Sequence, residues 1–115
     1  KDLKKLLMNR EIYVMDKVIK EIKEQISSNQ ILLFMKGTPY QPQCGFSAKV
    51  SHILFEYDVE FSFIDVFEFP DVRANLPSIS DWPTFPQLFV KGELVGGCDI
   101  ITELHENKQL SEILN

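Results

Sequence analysis

The sequence predicts an α/β domain built on a four-stranded mixed β-sheet with helices on both faces, and three observations carry that prediction. Apolar residues four apart (Val14, Val18, Ile22, Ile26) give way to a solid apolar run over residues 31–35, and then to a helical period again. A second strand pattern follows that second helix, so the first two strands are joined by a crossover and run parallel. Near the other end, Lys91-Gly92 separates two short apolar segments, which is a hairpin signal and makes the last two strands antiparallel.

Residues 1–13 are Lys/Leu-rich, with neither a cap nor a clean period, and read as a lead-in to a domain over residues 14–115. The first helix starts at Val14, shows Lys20, Glu21, Lys23 and Glu24 on its outer side, and ends near Ser27-Ser28-Asn29. The strand expected over 31–36 is apolar at each of positions 31–35, as suits a central strand buried on both faces. A Pro/Gly-rich loop over 36–47 leads to a helix over 48–56 whose core face is Val50, Ile53 and Leu54. Val59, Phe61 and Phe63 then alternate with Glu60, Ser62 and Ile64, giving a strand that closes near Asp65.

Pro70-Asp71 opens a short helix, and Leu76-Pro77 is expected to stop it. Residues 81–86 are too proline-dense for regular structure, and the Phe85-Pro86 bond is a candidate cis peptide because proline makes that form accessible. Strands over 87–90 and 93–95 form the hairpin. Gly96-Gly97 turns the chain sharply, and Asp99 is expected to N-cap a helix over 100–107. Residues 110–114 make a last amphipathic piece.

Composition narrows the function. At 115 residues the chain fits one core, and nine Phe help to fill it. A net charge of −5, with no basic run beyond the scattered N-terminal lysines, argues against nucleic acid as a partner. No apolar run approaches the roughly 18 residues of a membrane span, and no signal-peptide pattern is present. Cys44 and Cys98 do not make a disulfide framework, so a reducing intracellular compartment is expected. The start at Lys1 rather than Met is compatible with a trimmed targeting segment.

The chemistry centres on Cys44. It precedes a helix, where unpaired N–H groups and the dipole lower a thiol's pKa toward the nucleophilic and metal-binding thiolate, and Lys36 adds a cation nearby. Ser47 stands where a dithiol site would carry its second Cys, so no disulfide closes there. Arg73 is either a carboxylate clamp or a solvated surface residue. Cys98 is either a small buried hydrophobe or a second thiol that meets Cys44 on oxidation. His52 and His105 have no second ligand at metal spacing and read as surface or core-edge residues.

Three stretches together resemble a known family. Lys36-Gly37-Thr38-Pro39 with Pro42 and Cys44-Gly45-Phe46-Ser47, then Trp82-Pro83-Thr84-Phe85-Pro86-Gln87-Leu88, then Gly96-Gly97-Cys98-Asp99, are similar to the signatures of single-domain monothiol glutaredoxins of the CGFS type. The resemblance covers residues 14–114 and implies a thioredoxin-like fold. It also implies a glutathione site made by Lys36, Cys44, Phe46, Arg73, Thr84, Phe85, Pro86, Gly97, Cys98 and Asp99. In it the backbone of Phe85 pairs with the tripeptide, Asp99 and the N–H groups of Cys98 and Asp99 hold its γ-glutamyl end, Arg73 is the candidate clamp for the glycine carboxylate, and Lys36 lies between that carboxylate and the thiol. The chain departs from the family in Phe67-Glu68-Phe69-Pro70, a less polar connection, and in Leu76-Pro77, which would shorten the helix after Arg73.

Iron–sulfur stoichiometry extends the implication. A [2Fe-2S] cluster needs four ligands, and Cys44 is one, so two chains and two glutathiones complete the set in a cluster-bridged homodimer. The resemblance thus implies a cluster carrier that serves iron–sulfur acceptor proteins, with Cys44 as the metal ligand. The alternative is a monothiol glutathione-dependent thiol-disulfide oxidoreductase, at most a weak one, because the long loop between Lys36 and Cys44 displaces glutathione from attack geometry. A third reading is a redox-inert module that recruits a partner such as a BolA-like protein through the face around Trp82 and Cys44. By the same resemblance the chain is placed in the mitochondrial matrix or the cytoplasm.

Overall fold

Ile31–Met35 forms β1, and all five of its residues are buried, because the strand lies inside the sheet and is covered on both faces. The computed structural model describes residues 2–115. In chain order the remaining elements are α1 (Leu3–Ser28), β2 (Gly37–Thr38), β3 (Gln41–Pro42), α2 (Gly45–Phe55), β4 (Ser62–Asp65), α3 (Pro70–Ser80), β5 (Gln87–Val90), β6 (Glu93–Gly96), α4 (Cys98–Glu106) and α5 (Leu110–Leu114). The main sheet has the order β4-β1-β5-β6. β1 runs parallel to β4, with Leu33 opposite Phe63, and antiparallel to β5, with Leu33 opposite Leu88. The expected mixed four-stranded sheet is therefore present.

The strand period divides β1 between two cores. Ile31, Leu33 and Met35 point into one with Val50, Ile53 and Leu54 of α2, Ile101 of α4, and Leu110 and Leu114 of α5. Leu32 and Phe34 point into the other with Ile22 and Ile26 of α1 and Leu76 of α3. There Phe34 meets Phe89 edge-on, with ring centroids 5.6 Å apart. The β5–β6 hairpin turns through Lys91 (φ 53°) and Gly92 (φ 83°), the two left-handed positions that its tight loop requires.

Four expectations need correction. The helix does not begin at Val14: it starts at Leu3, where the Asp2 side chain accepts the Lys5 N–H at 3.2 Å, so residues 3–13 are helical. Residue 1 of the lead-in lies outside the described residues. The second strand is shorter than its alternation suggested: Val59 and Phe61 reach the first core from the preceding loop, and Phe63 is 39% exposed because β4 is an edge strand.

The third correction concerns Leu76-Pro77, which does not end α3. A helix-interior proline costs about 3 kcal/mol, but Leu76 is fully buried and Ile79 packs on the same core, so continuing the helix anchors both. The helix stops at Asp81, in the left-handed conformation at φ 54°, whose N–H bonds the carbonyl of Pro77. Finally, Gly97 and not Asp99 caps α4, which leaves Asp99 exposed within the first turn and making no capping bond.

Candidate active site

Cys44 sits at the N-cap of α2 in an extended conformation, directly after a small hairpin in which Gly37 pairs with Pro42 and Thr38 with Gln41. The hairpin gives the expected loop a fixed shape. Gly37 has φ 88°, and a Cβ there would come within 2.6 Å of the Gln41 carbonyl and the Gln43 nitrogen, so only glycine closes it. Its base is held twice more. The Gln43 N–H bonds the Lys36 carbonyl at 2.9 Å, and Asp65 Oδ1 accepts the N–H groups of Gly37 and Phe67, both at 2.9 Å.

Electrostatics at the thiol follow from this frame. Partial burial pushes the Cys44 thiol up, but the N–H groups of Ser47 and Phe46, the Ser47 hydroxyl and the Lys36 ammonium outweigh it, and the net result is below the ordinary thiol value. Ser47 is fully buried, and its Oγ accepts the Lys36 N–H at 3.0 Å.

Beside the thiol lies a cleft of about 470 Å³ lined by Lys36, Phe46, Trp82, Thr84, Phe85, Pro86, Gly97, Cys98, Asp99 and Ile100. The 81–86 loop forms one wall, with Phe85-Pro86 in the cis form. It is tied to the sheet by Gln87, whose buried side-chain amide donates to the carbonyls of Trp82 at 2.9 Å and Thr84 at 3.1 Å. Gly97 forms the opposite contact: a Cβ there would lie 3.1 Å from Trp82 Nε1 and 3.2 Å from the Pro86 carbonyl. The opening turn of α4 leaves N–H groups without carbonyl partners at this wall. Lys36 is the one cationic lining residue and Asp99 the one carboxylate, so the cleft offers complementary ends to a ligand that carries both an ammonium and a carboxylate.

The chain matches the glutaredoxin family model over residues 31–95. It is 52% identical to Glutaredoxin 4 of Haemophilus influenzae (strain 86-028NP) over 94 residues, covering 82% of this chain and 88% of that protein. With Glutaredoxin 4 of Escherichia coli (strain K12) the identity is 47% over 100 residues, 87% of each chain.

The chain belongs to the glutaredoxin family.

The solved structures agree. A monomeric truncated mutant of Trypanosoma brucei 1-C-Grx1 superposes on this glutaredoxin with a TM-score of 0.76 at 39% identity, covering 83% of this chain and 86% of that one. The four-stranded sheet and its flanking helices are thus the thioredoxin-like fold of the family. Glutaredoxins use glutathione as their thiol co-reactant.

Eight of the ten residues expected at this glutaredoxin's site line the cleft: Lys36, Phe46, Thr84, Phe85, Pro86, Gly97, Cys98 and Asp99. Cys44 heads α2, two residues before Phe46. Arg73 is not among the lining residues: its guanidinium carbon stands 5.0 Å from the centre of the Phe67 ring, a cation–π contact offered by the apolar connection before α3. Both cysteines are free thiols, and Cys98 lies partly buried against the first core with its sulfur 3.9 Å from Thr102 Oγ1. His52 is exposed, while His105 is bonded through Nδ1 to the Tyr57 hydroxyl at 2.6 Å. Sequence reasoning missed Asp65, Gln87 and the inward role of Ser47. The one available signal was a lone polar residue, Gln87, opening the apolar strand 87–90.

Proposed function

We propose that this glutaredoxin binds glutathione in the cleft and that two copies, joined through their Cys44 thiolates and two glutathiones, carry a [2Fe-2S] cluster to acceptor proteins. The observation that carries this reading is a single thiol with a lowered pKa at the head of α2, with a buried Ser47 in place of a resolving cysteine. Among the described residues no three His, Cys, Asp or Glu side chains gather to hold a metal, so iron bound at Cys44 would draw its remaining ligands from outside the chain. The thiolate is the form that binds iron, and the lowered Cys44 pKa favours it.

Within the cleft, Phe85 presents its backbone to the peptide of glutathione, Asp99 and the α4 N-terminus take the γ-glutamyl ammonium and carboxylate, and Lys36 takes the glycine carboxylate. Arg73 would have to leave Phe67 to join Lys36 there. A BolA-like protein is a further candidate partner on the same face. The bacterial relatives favour the cytoplasm as the working compartment and lend no support to the mitochondrial matrix. Among the described residues no helix is long and apolar enough to cross a membrane.

Thiol-disulfide exchange is the second reading, and the lowered Cys44 pKa favours it. The Cys44 thiolate would attack the glutathione sulfur of a mixed disulfide and release the substrate thiolate. A second glutathione thiolate would then attack the Cys44-bound glutathione, giving glutathione disulfide and free Cys44. Anaerobic reconstitution with iron, sulfide and glutathione, read by visible absorption and size exclusion, separates the two. Colour that elutes with a species of two chains or more, and is lost without glutathione or in Cys44→Ser, supports the carrier. A colourless chain that turns over a glutathione mixed disulfide leaves the oxidoreductase.

A further inference from the structure

The 26-residue α1 is buried only at Ile22 and Ile26, and its first half carries a row of uncovered apolar side chains. At about 100° per residue, Leu3, Leu7, Val14 and Val18 fall within one narrow arc of the helix, and Arg10 and Glu11 flank it in the gap between Leu7 and Val14. Leu3 is 69%, Leu7 49% and Val14 50% exposed. The same side of the helix borders a groove of about 530 Å³ between α1 (Arg10, Glu11, Val14, Val18) and α3 (Asp71, Ala74).

This row is self-complementary. Turned end for end about a point midway between Arg10 and Glu11, it lays Leu3 on Val18, Leu7 on Val14 and Arg10 on Glu11. We propose that the groove receives α1 of a second copy, antiparallel, with a two-fold axis between Arg10 and Glu11. Each contact is then made twice, as a closed isologous interface requires: four Leu–Val layers flank two Arg–Glu pairs.

The charges beyond the row agree with this register. Where Val18 faces Leu3 of the second copy, Asp71 at the groove's end faces its Lys4. Next along the α1–α3 seam, a second groove of about 560 Å³ has Val18, Ile22 and Val72 in its floor and Glu21, Glu68 and Asp71 at its rim, with no Lys or Arg among its lining residues. The cationic opening of α1, with Lys4 and Lys5 exposed, supplies the opposite sign. The interface lies with α1 and α3, whereas the thiol heads α2 and the cleft is bounded by α4, so it forms without iron or glutathione.

Sedimentation velocity of the reduced, iron-free and glutathione-free chain over a concentration series tests this. The expected result is a reversible rise to twice the 13.3 kDa chain mass. Leu7→Asp should weaken association by about 100-fold or more, since it removes two Leu–Val layers at once and buries two carboxylates, with unchanged circular dichroism because Leu7 touches no core. Arg10→Glu should weaken it too, and Arg10→Glu combined with Glu11→Arg should restore it. A chain that stays monomeric to about millimolar concentration, where binding falls below about 4 kcal/mol, overturns the proposal. So does a dimer indifferent to Leu7→Asp, or a monomer whose α1 instead binds vesicles of anionic phospholipid.

Discussion

Ser47 Oγ accepts the Lys36 backbone N–H at 3.0 Å, and the same hydroxyl helps hold the Cys44 thiolate. One buried side chain therefore ties the end of β1 to the nucleophile at the head of α2. Ser47→Ala removes both links. The Cys44 pKa should rise toward the ordinary thiol value, and leaving the Lys36 N–H unmatched should cost about 1 to 3 kcal/mol. Thiolate absorbance against pH and denaturant unfolding measure the two effects separately, and an unmoved thiol titration would show that the N–H groups of α2 suffice alone.

Because folding lowers the Cys44 pKa, its ionisation contributes stability that is fully present above the unfolded thiol value and is lost as pH falls through the folded one. The reduced chain should therefore gain stability relative to Cys44→Ser as pH rises from below the lowered pKa to above about 8.5. The difference should be flat on either side of that window. Denaturation midpoints of both proteins across that range check the sign, and a gap that narrowed with rising pH would contradict the thiolate frame.

Asp99 makes no capping bond and is exposed at the cleft, whereas Arg73 stacks on Phe67. Asp99→Asn should lower glutathione affinity about 10- to 100-fold, the worth of one charge-assisted bond, with helicity intact. Arg73→Ala should change it by less than about threefold, since an exposed pair contributes little. Isothermal titration with glutathione gives both numbers. A reversed ranking would return Arg73 to the carboxylate clamp.

Pro77 lies inside α3 without a hydrogen to donate. Pro77→Ala should stabilise the protein by about 2 kcal/mol: about 3 from relieving the helix-interior proline, less about 1 for the freer unfolded chain. Thermal unfolding tests it, and a loss of stability would mean that the Pro77 ring itself helps to seat Leu76.

How far the sequence reveals this depended on whether a residue's role was local. The apolar run of β1, the 36–47 loop and the 82–88 and 96–99 motifs are contiguous, so the sheet and most of the cleft could be read directly. Pro77 misled because local propensity argues for a stop, while the burial of Leu76 is decided by the opposite sheet face. The sequence leaves Arg73 between a carboxylate clamp and a solvated residue, since its neighbour Phe67 approaches only once the 66–69 turn is folded. The start of α1 was hidden because residues 3–17 carry apolar side chains on several sides of the helix and none of them is buried in the fold. Ser47, Asp65 and Gln87 act through bonds to distant backbone groups, which no spacing rule records.

Gly97 sets the width of the cleft. A methyl group there would stand 3.1 Å from Trp82 Nε1 and 3.2 Å from the Pro86 carbonyl, both closer than ordinary contact. The carbonyl belongs to a strand-entry segment that Gln87 pins, so the indole is the group that yields, toward the cleft it lines. Gly97→Ala should therefore cost about 1 to 2 kcal/mol, as small-to-large changes in packed sites do. It should also lower glutathione affinity several-fold, on the order of 1 kcal/mol. Trp82 is the only tryptophan in the chain, so its fluorescence reports the displacement without any added probe. An emission shift together with weaker binding is the expected pair. Weaker binding with unshifted emission would place the strain on the Pro86 backbone instead, and so on the cis-proline wall where glutathione is proposed to dock.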